Sequence, residues 1–311
     1  MKLERRAALV GALSMACAPS PPHAAAPVAP PARYSGRLED YVPAAGLRWL
    51  VRAAPAKLAE SQSFRPALEL WLSSERRQAF AATTGFKLES LPRGLIAGFD
   101  FGSLYLAELP HASAARARER FDQRQLRGAS QRHPDPGVSV LSGVADGVPV
   151  GLVTIDDRVL AYCVGDLRLC SVVEAYARGR LRAKSAFQGA ALHGLHQETE
   201  DAPVSAFVPG PFAERWHQAA GGLLAAATAL TAQLVPTAAG RAALELTLHG
   251  DFSEPGAAEL LQSTYMSVAG SSTGALLGLG AALDTRVNQT DDRVALRVPL
   301  PVTEVARGVR A

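Results

Sequence analysis

Four groupings of reactive side chains stand out in this 311-residue chain. Cys17 follows Ser14-Met15-Ala16 at the end of an uncharged run from Ala7. A thiol placed after small residues at the end of an export signal is positioned to carry a lipid once the chain is cut before it. Cys163 and Cys170 lie seven apart around Val164-Gly165-Asp166. In an oxidising compartment that spacing suits a structural disulfide, whereas redox catalysis favours a two-residue gap and a thiol at a helix start. His193 and His196, three apart, would share one side of a helix, and Glu198 or Glu200 could complete a metal site. Gly270-Ser271-Ser272-Thr273-Gly274 matches the Gly-x-Ser-x-Gly pattern, in which a sharp turn exposes the serine, here Ser272, for acyl transfer.

Each of the last two has a plainer reading. The nucleophile pattern needs a strand before it and a histidine after it, but Ala257 to Ala269 reads as helix and no histidine follows. Gly194 weakens any helix that would align the two imidazoles, and the acidic end from Glu198 to Asp201 reads as loop. Gly278-Leu279-Gly280 lies within a helical run and makes no phosphate loop. No acid, base and nucleophile come together, so the expectation is a non-enzymatic binding or structural module with no catalytic residue, no metal and no cofactor. The alternative is a hydrolase or metal-dependent enzyme using Ser272 or the His193/His196 pair. The formal charge of +3 falls close to neutral once Lys2, Glu4, Arg5 and Arg6 are removed, which leaves no electrostatic case for nucleic acid. The arginines from Arg116 to Arg127, interleaved with Glu119 and Asp122, have the spacing of a solvated helix face. The expected partners are a membrane, through the N-terminal lipid, and an envelope protein.

The elements follow from pattern. Residues 1–17 form the signal, whose uncharged stretch is too short to span a bilayer permanently. Residues 18–40 form a Pro/Ala-rich linker that stays extended because it has too little to bury. The spacing then predicts a strand at Leu47 to Arg52, a helix opened by Pro55, and a hairpin from Gly94 to Leu109. It continues with a helix from Ala112, a polar loop from Arg127 to Gly137, and three strands ending at Cys163. A second cycle has a strand at Val204 to Val208, a helix from Phe212 to Leu234 and a strand from Ala242 to Gly250. A helix from Glu254 to Leu283 and a strand from Arg286 to Leu300 complete it. Asp156-Asp157-Arg158-Val159 near the end of the first cycle recurs as Asp291-Asp292-Arg293-Val294 near the end of the second. A shared order of elements around a shared tetrapeptide indicates an internal duplication. The expected fold is α+β, with two related lobes at 41–202 and 203–311, mainly antiparallel sheets and helices packed on one face. The uncharged stretches Ala219 to Val235 and Tyr265 to Leu283 read as buried helices, since Gly, Ala, Ser and Thr dilute both.

Around Cys17 the chain resembles bacterial lipoprotein signals, with Ala16 at the small position before the cysteine and Ser14 where those signals usually carry Leu. The Arg5-Arg6 pair is similar to that of twin-arginine signals. From about Tyr41 to Arg310 the order of elements, including the Thr84-Gly85-Phe86 step, resembles a broad group of bacterial envelope lipoproteins and exported proteins built from repeated strand-helix-strand units. The resemblance implies export, a lipid anchor on the periplasmic or cell-surface side of the envelope, and a two-lobed α+β body. That group has no agreed activity, so it supplies no functional residues. Cys17→Ser is expected to move the exported protein from the detergent phase to the aqueous phase of a detergent phase separation; unchanged partitioning would show that something else holds it to the membrane.

Overall fold

The computed structural model of the protein describes residues 37–110, 113–123, 126–180, 185–189, 191–238, 241–272, 274, 285–303 and 306. Cys17, the signal, nearly all of the linker, Gly278-Leu279-Gly280 and the stretch 275–284 lie outside the described residues. The first half runs β1 (Leu47–Ala53), α1 (Pro55–Glu60), α2 (Arg65–Trp71), α3 (Ser74–Thr84), β2 (Arg93–Phe99), β3 (Gly102–Glu108) and α4 (Ala114–Asp122). It continues through β4 (Arg127–Asp135), β5 (Val138–Ala145), β6 (Val148–Ile155), β7 (Val159–Val164), α5 (Arg168–Ala177) and the single turn α6 (Leu195–Glu198). The second half runs β8 (Val204–Pro209), α7 (Glu214–Ala219), β9 (Ala227–Ala238), β10 (Arg241–Gly250), α8 (Ala257–Ala269), β11 (Arg286–Thr290) and β12 (Arg293–Pro301).

All twelve strands join one antiparallel sheet in the order β11-β12-β10-β9-β8-β1-β2-β3-β7-β6-β5-β4. Segments 41–202 and 203–311 therefore meet within a single sheet, through the β1–β8 pair that sets Leu50 opposite Phe207 and Arg52 opposite Ser205. Outward from that pair the order is β1, β2, β3, β7, β6 on one side and β8, β9, β10, β12, β11 on the other. The repeated Asp-Asp pairs sit in the β6–β7 and β11–β12 turns, so the strands they open, β7 and β12, occupy matching places beside β3 and β10.

Strand residues alternate between two faces. The Leu50 face of the first half buries Leu50, Leu104, Val140 and Val153 under α5, which brings Leu169, Val173 and Tyr176 to the same core. The opposite, Val51 face of the first half is covered by α4 through Ala114, Ala117 and Phe121. In the second half the Val51 face buries Leu248, Val294, Leu296 and Val298 beneath α8. The Leu50 face there carries a polar cross-strand ladder: Thr231 with His249 at 3.0 Å, Gln233 with Glu245 at 2.8 Å, and Glu245 with Arg297 at 3.2 Å. Described helices thus lie on both faces, α5 on one and α4 and α8 on the other, because the first half's strands are apolar on both sides.

Three further differences from the sequence expectation have local causes. The helix expected from Phe212 to Leu234 ends at Ala219, stopped by Gly221 and Gly222 at φ 61° and 89°. The chain then continues as β9, with Leu230, Ala232 and Leu234 toward the Val51 face and Thr231 and Gln233 toward the other. The polar stretch after Arg127 is the edge strand β4, exposed along most of its length and bulged, a composition that keeps an edge from pairing with another chain. Buried Glu174 on α5 accepts from Arg132 of that strand and lies 3.4 Å from Arg178, which also pairs with Asp135. The final strand is a hairpin, β11–β12. Among the described residues no helix is long and apolar enough to cross a membrane.

Arg52 connects the two halves. It is 9% exposed, and its Nε donates to Ser205 Oγ at 3.1 Å, Nη1 to Glu39 Oε1 at 3.2 Å and Nη2 to Thr199 Oγ1 at 2.9 Å. The guanidinium also donates to the Thr199 carbonyl and lies 5.8 Å from the centre of the Phe207 ring. Glu39 is 3% exposed. Removing one member of a buried pair strands the other charge away from water. Arg52→Met is therefore expected to lower the unfolding free energy by about 3 kcal/mol in urea titrations, and Arg52→Met with Glu39→Leu to recover most of it. A single-variant loss below about 1 kcal/mol would place this pair with the weak surface ion pairs.

Candidate functional site: an apolar cleft beneath three short helices

The chain from Ala53 to Leu91 crosses the Val51 face as three short helices, packed at its ends through Leu58, Phe64, Phe86 and Leu91 and open between them. Pro55 and Pro66 sit in the first turns of α1 and α2, where a missing N–H costs nothing, and each helix ends within two turns. Ser73 caps α3, its Oγ accepting from the Arg76 N–H at 3.4 Å, and Gly85 ends that helix at φ 82°. α3 has eleven residues and none of them is buried. Phe80 packs edge-on to Phe86 at 5.5 Å, at the margin of the α4 core, and borders open space.

That space is a cleft of about 590 Å³, within the range of small-molecule sites. Its roof comes from α1, α2, α3 and the Phe86–Leu91 segment, its floor from β1, β2, β3 and β7, and α4 contributes Ala117 and Phe121. Ile96 and Tyr105 face each other across the β2–β3 pair and are 38% and 40% exposed, which marks the open side. Just beyond, the exposed Trp49 indole lies over Gly98, where a Cβ would meet it at 2.4 Å. Gly94 on the floor leaves room: the atom nearest a Cβ built there is the Leu106 carbonyl oxygen at 3.9 Å. Among the described residues the lining carries two charged side chains, Arg77 and Glu89. The hydroxyls of Thr83 and Thr84 on the lining are turned to the Ala79 and Phe80 carbonyls at 2.8 and 2.7 Å.

The residues singled out in the sequence lie elsewhere. Cys163 on β7 and Cys170 on α5 are both buried under the Leu50 face, as neighbouring free thiols. Their side chains are hydrogen-bonded to each other, which with burial pushes the Cys163 thiol well above its usual range. Cys170 fills the space over Gly151, where a Cβ would stand 2.3 Å from its sulfur. The pair packs the α5 interface and is closed to solvent.

His193 and His196 do not share a helix side. Gly194, at φ 79°, is the N-cap of α6, so His193 precedes the helix and is exposed. The His196 ring packs edge-on to Phe187 at 5.3 Å, with Nδ1 buried and unpartnered among the described residues, and desolvation followed by the charge on Arg37 lowers its pKa. Among the described residues no three His, Cys, Asp or Glu side chains gather to hold a metal. Ser272 is exposed beyond the end of α8. Its neighbour Ser271 makes the local bonds, donating to the Val268 carbonyl and accepting from the Gly274 N–H at 3.1 Å, just past the Gly270 cap of α8.

No protein-family model matches the sequence, and no curated protein matches it. Among solved structures, crystal forms III and I of TP0453 are similar, each with a TM-score of 0.49 and covering 89% of this chain and 98% of that chain, at 9% and 10% identity.

Proposed function

We infer that the protein is an exported, lipid-anchored component of the bacterial envelope whose α+β body is a binding module for an apolar, chain-like ligand. The anchor reading rests on Cys17 and the signal before it. The binding reading rests on the cleft: an apolar lining left unfilled beneath a helix with no buried residue exposes surface that a ligand would remove from water. The two halves are read as diverged copies, supported by their matched strand order and by the matched places of the strands after Asp156-Asp157 and Asp291-Asp292. On this reading the cleft belongs to the first copy alone, whose strand-to-strand excursion between β1 and β2 contains three helices where the second copy has α7 and a short turn. The enzyme alternative uses Ser272 or His193 and His196, none of which lines the cleft.

Gly94→Phe tests the reading, because the ring enters the cleft from a position with no close neighbour to displace. The variant is expected to bind a fluorescent fatty-acid probe about tenfold more weakly than the wild type, with a melting temperature equal or higher. Equal affinity of the two proteins, or no probe binding by the wild type, would contradict it.

A further inference from the structure

The two charged side chains on the cleft lining pair neither with each other nor with any described residue. Arg77 lies on α3, and no hydrogen bond or ion pair of its guanidinium is found among the described residues. Glu89 lies in the short turn that follows, and its Oε2 is buried with no hydrogen-bond partner among the described residues. The other polar groups of the roof, Thr83 and Thr84, are already bonded to backbone carbonyls. A buried carboxylate oxygen without a donor carries an uncompensated desolvation cost, and a cation beside apolar surface is similarly available. Two opposite charges that share one cavity and stay apart call for a ligand that brings both complementary charges.

Resting on the apolar-ligand reading above, we propose that the cleft takes a single-chain phospholipid with an ammonium head, its acyl chain over Ile96 and Tyr105, its phosphate on Arg77 and its ammonium on Glu89. The chemistry selects among amphiphiles. A fatty acid would satisfy Arg77 and leave Glu89 unpaired, and an uncharged acylglycerol would pair neither charge fully. A phosphate with a glycerol head would engage Arg77 and offer Glu89 only a neutral hydroxyl, a weaker partner than an ammonium. A cleft of about 590 Å³ suits one chain.

The test uses the exported full-length protein and four probes with the same palmitoyl chain: lysophosphatidylethanolamine, lysophosphatidylglycerol, monoacylglycerol and palmitate, each displacing a fluorescent fatty acid. The wild type is expected to bind lysophosphatidylethanolamine about tenfold tighter than any of the other three. Glu89→Gln should bring it to the level of lysophosphatidylglycerol, and Arg77→Gln should weaken both phosphate-bearing lipids toward the acylglycerol. Equal affinity of the wild type for all four probes, or tightest binding of palmitate, would overturn the headgroup assignment and leave the apolar-ligand reading standing. If no probe binds the wild type, the apolar-ligand reading fails and this assignment fails with it. The wild-type panel decides the matter even where a variant folds poorly.

Discussion

A guanidinium held out of water at the centre of a sheet constrains everything packed around it. Arg52 occupies the middle of the β1–β8 pair, and its donors reach Glu39 before β1, Ser205 on β8 and Thr199 in the connection between the halves. Each partner comes from a different part of the chain, so the charge is satisfied only when both halves have met. Such a network adds little net stability compared with apolar side chains of the same size, but incorrect pairings would leave a bare charge inside. It thus supplies a reason for β1 to pair β8 in one register, and the outward order of strands on both sides is built on that pair.

With the centre secured, the two faces are used differently. The Leu50 face of the first half is closed by α5, by the 3-10 turn containing Glu39 and by Phe187, and it holds the tightly buried Tyr41, Tyr176 and Phe207. The Val51 face is covered at one end by α4 and at the other by α8, while α1 to α3 bridge the region between without filling it. Leu58, Phe64 and Ala67 pin α1 and α2 against Ala242 and Val302 of the second half. The roof is therefore supported from its far edge, and α3 presents Arg77, Phe80, Thr83 and Thr84 to the open space.

Much of this was legible in the sequence where one signal acted alone. β12 reads directly, because Val294, Leu296, Val298 and Leu300 alternate with exposed residues, and the repeated Asp-Asp-Arg-Val marked two strands that occupy matching places. β9 was obscured because alanine has the best helix propensity, and the two-residue alternation of Thr231 and Gln233 with Leu230 and Leu234 is faint against it. β4 was missed because an edge strand needs neither apolar residues nor freedom from proline. The cleft left no trace, since its lining is drawn from separate elements of ordinary apolar residues that any sequence reading assigns to a core. Arg77 and Glu89 belong to no motif; only their lack of partners among the described residues distinguishes them. Conversely, the most motif-like residues lie away from the cleft: Ser272 is exposed past the end of α8, His193 precedes the single turn α6 and His196 lies within it.

The claim that the body exists to hold an apolar ligand is tested most directly by native mass spectrometry of the protein purified from its native cells in mild detergent, without delipidation. The account predicts a one-to-one adduct of defined mass that organic solvent releases as a lipid. Protein of unliganded mass alone, still folded and recovered from those cells, would contradict it.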